Sequence, residues 1–274
     1  MRQFIYTFET MSTPCELIVF ENSKSKADSV AQAIVQESKR LEKKYSYYDS
    51  ASLLHKINSR EVNRLDSETK RILQRAKQYY NVTNGIFDIT VATIKDLYTT
   101  LKHQTELETK KAKLLPFVGC EHFVIKKEKI IFDNPYTKID LGGFVKEYAV
   151  DRAVTIVKKN KITAALMNFG GDIYAHGKKP DGTTFKVGIK DPKNRANHAE
   201  FVKLENEALT TSASYERNYT IENNTYSHII SKNESAQTPH SVTVISSNCV
   251  ESGVYSTALM IDPTLPTSHR VLML

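Results

Sequence analysis

The stretch Lys138–Asp151, KIDLGGFVKEYAVD, decides how this chain is read. Its first residues read as an apolar strand and its last ones as an amphipathic helix, with two glycines at the join. Gly142 and Gly143 permit φ > 0 and close approach of a ligand to the backbone. The helix starting near Phe144 aims its free N–H groups at the same place. An anion, most naturally a phosphate, suits that junction. Lys146, in the first turn, either adds a point charge to a phosphate or holds a partner carboxylate. Asp140 would repel a bare phosphate and reads instead as a partner for a hydroxyl, an exocyclic amine or a metal.

The same kind of signal occurs twice more. NFGGDIYAHG (168–177) ends an apolar strand with Gly170-Gly171-Asp172, and NGIFDITV (84–91) sets Asp88 among apolar neighbours. A strand–Gly-Gly–helix turn is by itself often a packing solution. Three carboxylates in apolar settings beside glycines or a loop are harder to assign to solubility, because burying an acid without a partner is costly.

Outward from these blocks the chain alternates early helices with later strands. MRQFIYTFETMSTPCELIVFE reads as strand, and KADSVAQAIVQESKRLEKKYS as a long helix with Asp28 in its first turn, ending near Tyr45. YYDSASLLHKINS is a loop and short helix. SETKRILQRAKQYYNVTNG is a helix capped by Ser67 and ended by Asn84-Gly85, so two antiparallel helices are expected. FVGCEHFVIKKEKIIFDNPYTKIDLGG reads as a hairpin delivering Asp140 to a strand end. AALMNFGGDIYAHG, FKVGIKDP, EALTTSASYERNYTIENNTYSHIIS and HSVTVISSNCV read as strands, and VESGVYSTALMI as a short helix. The expectation is an α+β fold of mixed or antiparallel sheets with helices, two intimately packed subdomains within one domain over residues 1–274.

At 274 residues with 40% hydrophobic and 25% charged residues, the chain can build a large core and is not disordered. The net charge of +7 raises an anionic partner such as nucleic acid or membrane, but the basic residues are dispersed and lie beside acids, as on solvated faces. Three distant cysteines without a Cys-x-x-Cys pair support neither a disulfide framework nor a zinc site. No apolar run approaches the roughly 18 residues of a spanning helix, and no signal peptide or lipobox is read, so a cytoplasmic protein is expected, or a periplasmic one if the sequence has been trimmed.

The blocks LEKKYSYYDSASLLHKIN, TNGIFDITV, IDLGGFVKEYAVD, LMNFGGDIYAHG, VGIKDP, TTSASYERNY, YSHII and ESGVYSTAL occur, between Thr7 and Leu259, in the order of the ApbE family, the FAD:protein FMN transferases. The resemblance implies magnesium-dependent transfer of FMN from FAD to a threonine or serine hydroxyl of a target flavoprotein, with release of AMP. Some members of the family only bind FAD or hydrolyse its pyrophosphate. It implies FAD contacts at Met11, Tyr48, Ile86, Phe87, Asp88, Asp140, Lys146 and Ile230, with Gly170, Gly171 and Asp172 in the second glycine turn. Thr211 and Ser212 either donate hydrogen bonds around the flavin or phosphate, or fill a turn. His228 matches a histidine treated as base for the acceptor hydroxyl, and a near-neutral pKa suits that role. No convincing acceptor motif occurs in the chain itself, so the acceptor is expected to be another protein.

The metal site departs from the family pattern. The resemblance implies the backbone carbonyl of Gly143 and an Asp-x-x-x-Thr pair as ligands. Thr257 is present, but the aspartate position holds Gly253. Glu251, two residues away, would point elsewhere on a helix. Magnesium is therefore expected to bind weakly without FAD. SKNESAQTP (231–239) replaces an expected Asp-Pro-x-Thr-Gly turn, and DPTLPTSHRVLML ends soon after Leu259, where a further strand and helix are expected. These losses leave a weakened FAD-binding protein, or a non-flavin interaction protein on the same fold, as alternatives.

Overall fold

A computed structural model describes residues 1–194, 196–215, 218–227, 229–230 and 239–274. Strands β1 (Arg2–Thr10) and β2 (Thr13–Glu21) form the first hairpin. Helix α1 (Lys24–Tyr45) follows, with Ser23 as N-cap; Asp28 lies beyond its first turn. Then come α2 (Leu53–Asn58), α3 (Ser67–Val82), α4 (Ala92–Thr100) and α5 (Gln104–Leu114). Hairpin β3 (Phe123–Lys126) and β4 (Lys129–Phe132) precedes α6 (Gly142–Lys159). The remainder is β5 (Ala164–Phe169), β6 (Asp172–His176), β7 (Phe185–Lys190), β8 (His198–Leu204), β9 (Glu207–Ala213), β10 (Asn218–Ile221), β11 (Asn224–Ser227), β12 (Ser241–Ser246), α7 (Cys249–Ile261) and β13 (Arg270–Met273).

The α+β reading holds, with helices grouped against antiparallel strands. Seven strands make one sheet in the order β1-β2-β5-β6-β9-β12-β13, every neighbouring pair antiparallel. Alternation along each strand sends Met167, Phe169, Tyr174, Ala208 and Val244 into the main core under α1, α6 and α7. Ile173, Ala175, Leu209 and Ile245 point the other way, into a second core closed by the β7–β8 hairpin. A smaller cluster forms where Tyr98 of α4, Leu107 of α5 and Ile221 of β10 meet.

Several boundaries differ from the sequence reading. Residues 138–141 are not a strand. Asn58 holds that segment by bonding both the N–H and the C=O of Ile139 at 2.8 Å, and Asp140 N–H donates to Ile89 O at 2.8 Å. Helix α6 starts at Gly142, and neither Gly142 nor Gly143 has positive φ. Gly143 departs from helical geometry at φ −91°, ψ 21°, and a β-carbon there would meet nothing within 4 Å. Asp66 rather than Ser67 caps α3, accepting from the N–H groups of Glu68 and Thr69. Helices α4 and α5 and strand β8 were not expected. The segment after Leu259 itself supplies β13, which pairs with β12.

One surface network joins α1 to α3. Glu68 receives Arg40 at 2.7 Å and Lys44 at 2.7 Å. Burial raises the Glu68 pKa, but these two cations outweigh it and hold the carboxyl at about 2. A depressed carboxyl pKa adds stability that is present above the unfolded value near 4.5 and is lost as pH falls toward 2. Glu68→Gln is therefore expected to lower stability by about 1 kcal/mol at pH 7, after discounting for solvent screening, and by roughly half of that or less at pH 3. Urea unfolding followed by circular dichroism at the two pH values tests this; an equal loss at both refutes the ion-pair account.

Candidate active site

The two hairpin tips of the sheet lie side by side, because β2 pairs with β5 in a register that sets Cys15 opposite Phe169. The first tip, Met11-Ser12, has φ of 51° and 55° without glycine. Met11 N–H is anchored by Glu42 Oε1 at 2.6 Å. The second, Gly170-Gly171, has φ of 62° and 97° and joins β5 to β6, the mirror-image turn that two-residue hairpins favour. A β-carbon on Gly170 would run into Thr13 Cγ2. This glycine pair thus builds a hairpin that seats Asp172 at the start of β6.

Asp172, 2% exposed, faces the helices and forms an ion pair with Lys146 of α6. Of the two roles read for Lys146, holding a carboxylate is the one the fold realises. Burial alone would push its pKa down, but the charges of Asp172 and Glu147 carry it upward. Burial pushes Asp172 up, opposed by Lys146. Glu147, 5% exposed, is raised well above the ordinary carboxylate range by burial and then by the charge on Asp172.

Helices α6 and α7 pack antiparallel with a regular register. Asp151 accepts the N–H groups of Cys249 and Val250 at 2.7 and 3.3 Å, closing the start of α7. One turn earlier on α6 and one turn later on α7, Glu147 lies against Gly253. Thr257 Oγ1 lies 3.3 Å from Ser212 Oγ, which also bonds Ser256 Oγ at 2.8 Å. Glu251 points elsewhere: Asn248 Nδ2 donates to it at 3.1 Å, and His269 lies 3.5 Å away.

Asp140 sits at the other flank of the α6 start. Its Oδ1 accepts Gly142 N–H at 2.8 Å, and it pairs with Lys95 of α4. The Lys95 ammonium stands 5.0 and 5.1 Å from the ring centres of Tyr47 and Tyr48, and Tyr48 is 73% exposed. Burial would lower the Lys95 pKa, yet Asp140 raises it above its usual value.

The remaining residues named from sequence do not all converge. Asp88 caps a short 3-10 turn at Ile89–Val91, accepting the Thr90 N–H at 2.7 Å and hydroxyl at 2.6 Å; burial raises its pKa despite these donors. Phe87 is core, with its ring 6.3 Å from Phe144, and Ile86 packs at the edge of that core. Thr211 points away from the helices to bond Thr243 at 2.8 Å, since neighbours on a strand face opposite sides. Ile230 belongs to the Tyr98 cluster. His228 and most of the 231–239 segment lie outside the described residues.

Lys95, Glu147 and Asp151 were missed from sequence. The last two carry a readable signal, because 143, 147 and 151 recur every four residues and so share one face of α6. Among the described residues no three His, Cys, Asp or Glu side chains gather as a metal cluster. Magnesium needs only one or two carboxylates when phosphates and water complete its shell. The donors present fit that demand, since Glu147 Oε2 is buried without a hydrogen-bond partner. A cavity of about 550 Å³ near Phe20, Leu166 and Phe185 shares no lining residue with this site.

The antiparallel sheet backed by helices is shared with proteins of known structure. The Thermotoga maritima ApbE protein superposes with a TM-score of 0.88 at 25% identity, covering 99% of this chain and 94% of that one. The flavin transferase ApbE from Vibrio cholerae gives 0.83 at 21% identity, covering 99% and 93%. The chain belongs to the ApbE family, whose sequence profile matches residues 11–265. It is also similar to an Escherichia coli FAD:protein FMN transferase, 25% identical over 65% of this chain and 54% of that protein. The chain thus spans about half the length of that relative. No helix among the described residues is long and apolar enough to cross a membrane.

Proposed function

We propose that this protein is an FAD:protein FMN transferase acting on a threonine or serine hydroxyl of another flavoprotein. The observation that carries the reading is the family match over residues 11–265, in a chain that brings the glycine turns, Lys146–Asp172 and Thr257 to one end of the sheet. In the reaction the acceptor oxygen bonds to the FMN phosphorus of FAD, the pyrophosphate P–O bond breaks, and AMP leaves with the bridging oxygen. The hydroxyl proton passes to a base, the role proposed for His228.

Tyr48, exposed beside Lys95, offers a ring for the adenine, and the Met11 tip and the open backbone at Gly143 leave room for the dinucleotide. Magnesium, when bound, supplies charge neutralisation at the pyrophosphate, with Thr257 and the Gly143 carbonyl among its proposed ligands. Incubation with FAD, magnesium and a threonine-bearing acceptor peptide, followed by mass spectrometry, tests the transfer: an added FMN is expected. Bound FAD without any adduct would favour the second reading, a weakened FAD-binding protein, which Gly253 supports.

Asp140→Ala is expected to weaken FAD binding more than tenfold, about 1.4 kcal/mol, because it frees Lys95 and removes the acceptor that orders the Gly142 N–H. Calorimetry decides it; unchanged affinity would remove Asp140 from the site.

A further inference from the structure

The α6–α7 interface holds an arrangement in which a glycine and an acid complement each other. Glu147 sends its side chain from α6 into the space above Gly253 of α7. A β-carbon at 253 would stand 2.6 Å from Glu147 Cγ and 3.1 Å from Oε1. Any side chain at 253 and Glu147 in this rotamer therefore exclude each other. Three carboxylates approach this interface, and two face a partner, the buried Oδ2 of Asp172 having its ion pair with Lys146 in place of a hydrogen bond. Asp151 takes two backbone N–H groups of α7, and Asp172 takes Lys146. Glu147 is 5% exposed and its Oε2 has no hydrogen-bond partner. An acid buried in that state calls for a cation or a donor.

We propose that Glu147 supplies the carboxylate ligand of the divalent cation that accompanies FAD, from α6 instead of α7. This rests on the transferase reading for the identity of the phosphate partner. It accounts for Gly253, where the carboxylate of an Asp-x-x-x-Thr pair would otherwise project: the acid reaches the same space from the facing helix. One turn away, the Thr257 and Ser212 hydroxyls are 3.3 Å apart and add hard oxygen donors. Gly253→Asp alone then meets Glu147 and restores nothing, whereas the exchange Glu147→Gly with Gly253→Asp moves the acid back across the interface.

The test uses Mn²⁺ as probe, with free Mn²⁺ followed by electron paramagnetic resonance with and without FAD, and FAD affinity measured separately in EDTA. Glu147→Gln is expected to lower Mn²⁺ affinity at least tenfold, with FAD affinity in EDTA within about twofold of wild type. The exchange variant is expected to recover Mn²⁺ binding to within about threefold. Should Glu147→Gln not fold, Glu147→Asp replaces it with the same expectation. Wild-type Mn²⁺ affinity in the Gln or Asp variant, or no Mn²⁺ binding by wild type with FAD present, overturns the proposal. Mn²⁺ binding that depends on Glu147 in a protein that does not bind FAD would support the site and refute the transferase reading. Intact FMN transfer with cation affinity indifferent to Glu147 would do the reverse.

Discussion

Lys146→Met is expected to destabilise the protein by about 3–5 kcal/mol at pH 8, the usual cost of stripping the partner from a buried charge. Asp172 would keep its burial and lose its ion pair, and Glu147 would lose the positive charge of Lys146. The pH dependence has a definite sign. Asp172 and Glu147 already have folded pKa values above their unfolded ones, and removing the cation raises them further. Groups raised in this way favour folding below their unfolded pKa and oppose it as pH rises through the folded value. The deficit of the variant should therefore shrink between pH 8 and pH 5. The chain has no tryptophan, so urea unfolding is read by circular dichroism. A deficit under about 1 kcal/mol, or one equal at both pH values, would show that Lys146 does not neutralise the buried acids.

Gly170→Ala is expected to cost about 2–4 kcal/mol, combining a left-handed backbone penalty with the overlap on Thr13 Cγ2. Thr13 has little freedom to yield, since it is buried where β2 begins. Thr13→Ser removes the obstructing methyl and keeps the hydroxyl that donates to Met11 O at 3.3 Å. The double variant should recover roughly half of the loss, leaving the backbone term. If Gly170→Ala unfolds at the same urea concentration as wild type, the two hairpin tips are not in contact and the placement of Asp172 by that turn is wrong.

The quoted stretch illustrates both the reach and the limit of sequence reading. Helix α6 was legible from its apolar spacing, and the second Gly-Gly pair marked the end of β5. The segment before α6 read as strand because Ile139 and Leu141 alternate with charged residues. In the fold these two are core residues of a loop, held by the Asn58 side chain across 81 positions in sequence. Helix α5 went unseen because, apart from Leu107, its buried positions include a lysine, Lys111, so no apolar stripe announces it. Strand β13 escaped because four residues at a sheet edge after a proline-rich stretch carry too little pattern.

Local sequence determined the acid-and-glycine blocks, their order along the chain, the helices with one apolar face and the strands that alternate. These follow from periodicities of 3.6 and 2 residues, which each segment carries within itself. Tertiary structure decided which carboxylates have partners. Asp88 is satisfied two residues away, by Thr90. Asp140 found Lys95 and Asp172 found Lys146 across helix and sheet boundaries, and Glu147 came to lie over the bare backbone of Gly253. The charge state and ligand capacity of a buried acid depend on what lies within a few ångströms, because in a low-dielectric interior an unpaired charge costs far more than a paired one. Sequence separation says nothing about that distance. The acid at 147 and the glycine at 253 become one feature only when α6 and α7 pack antiparallel.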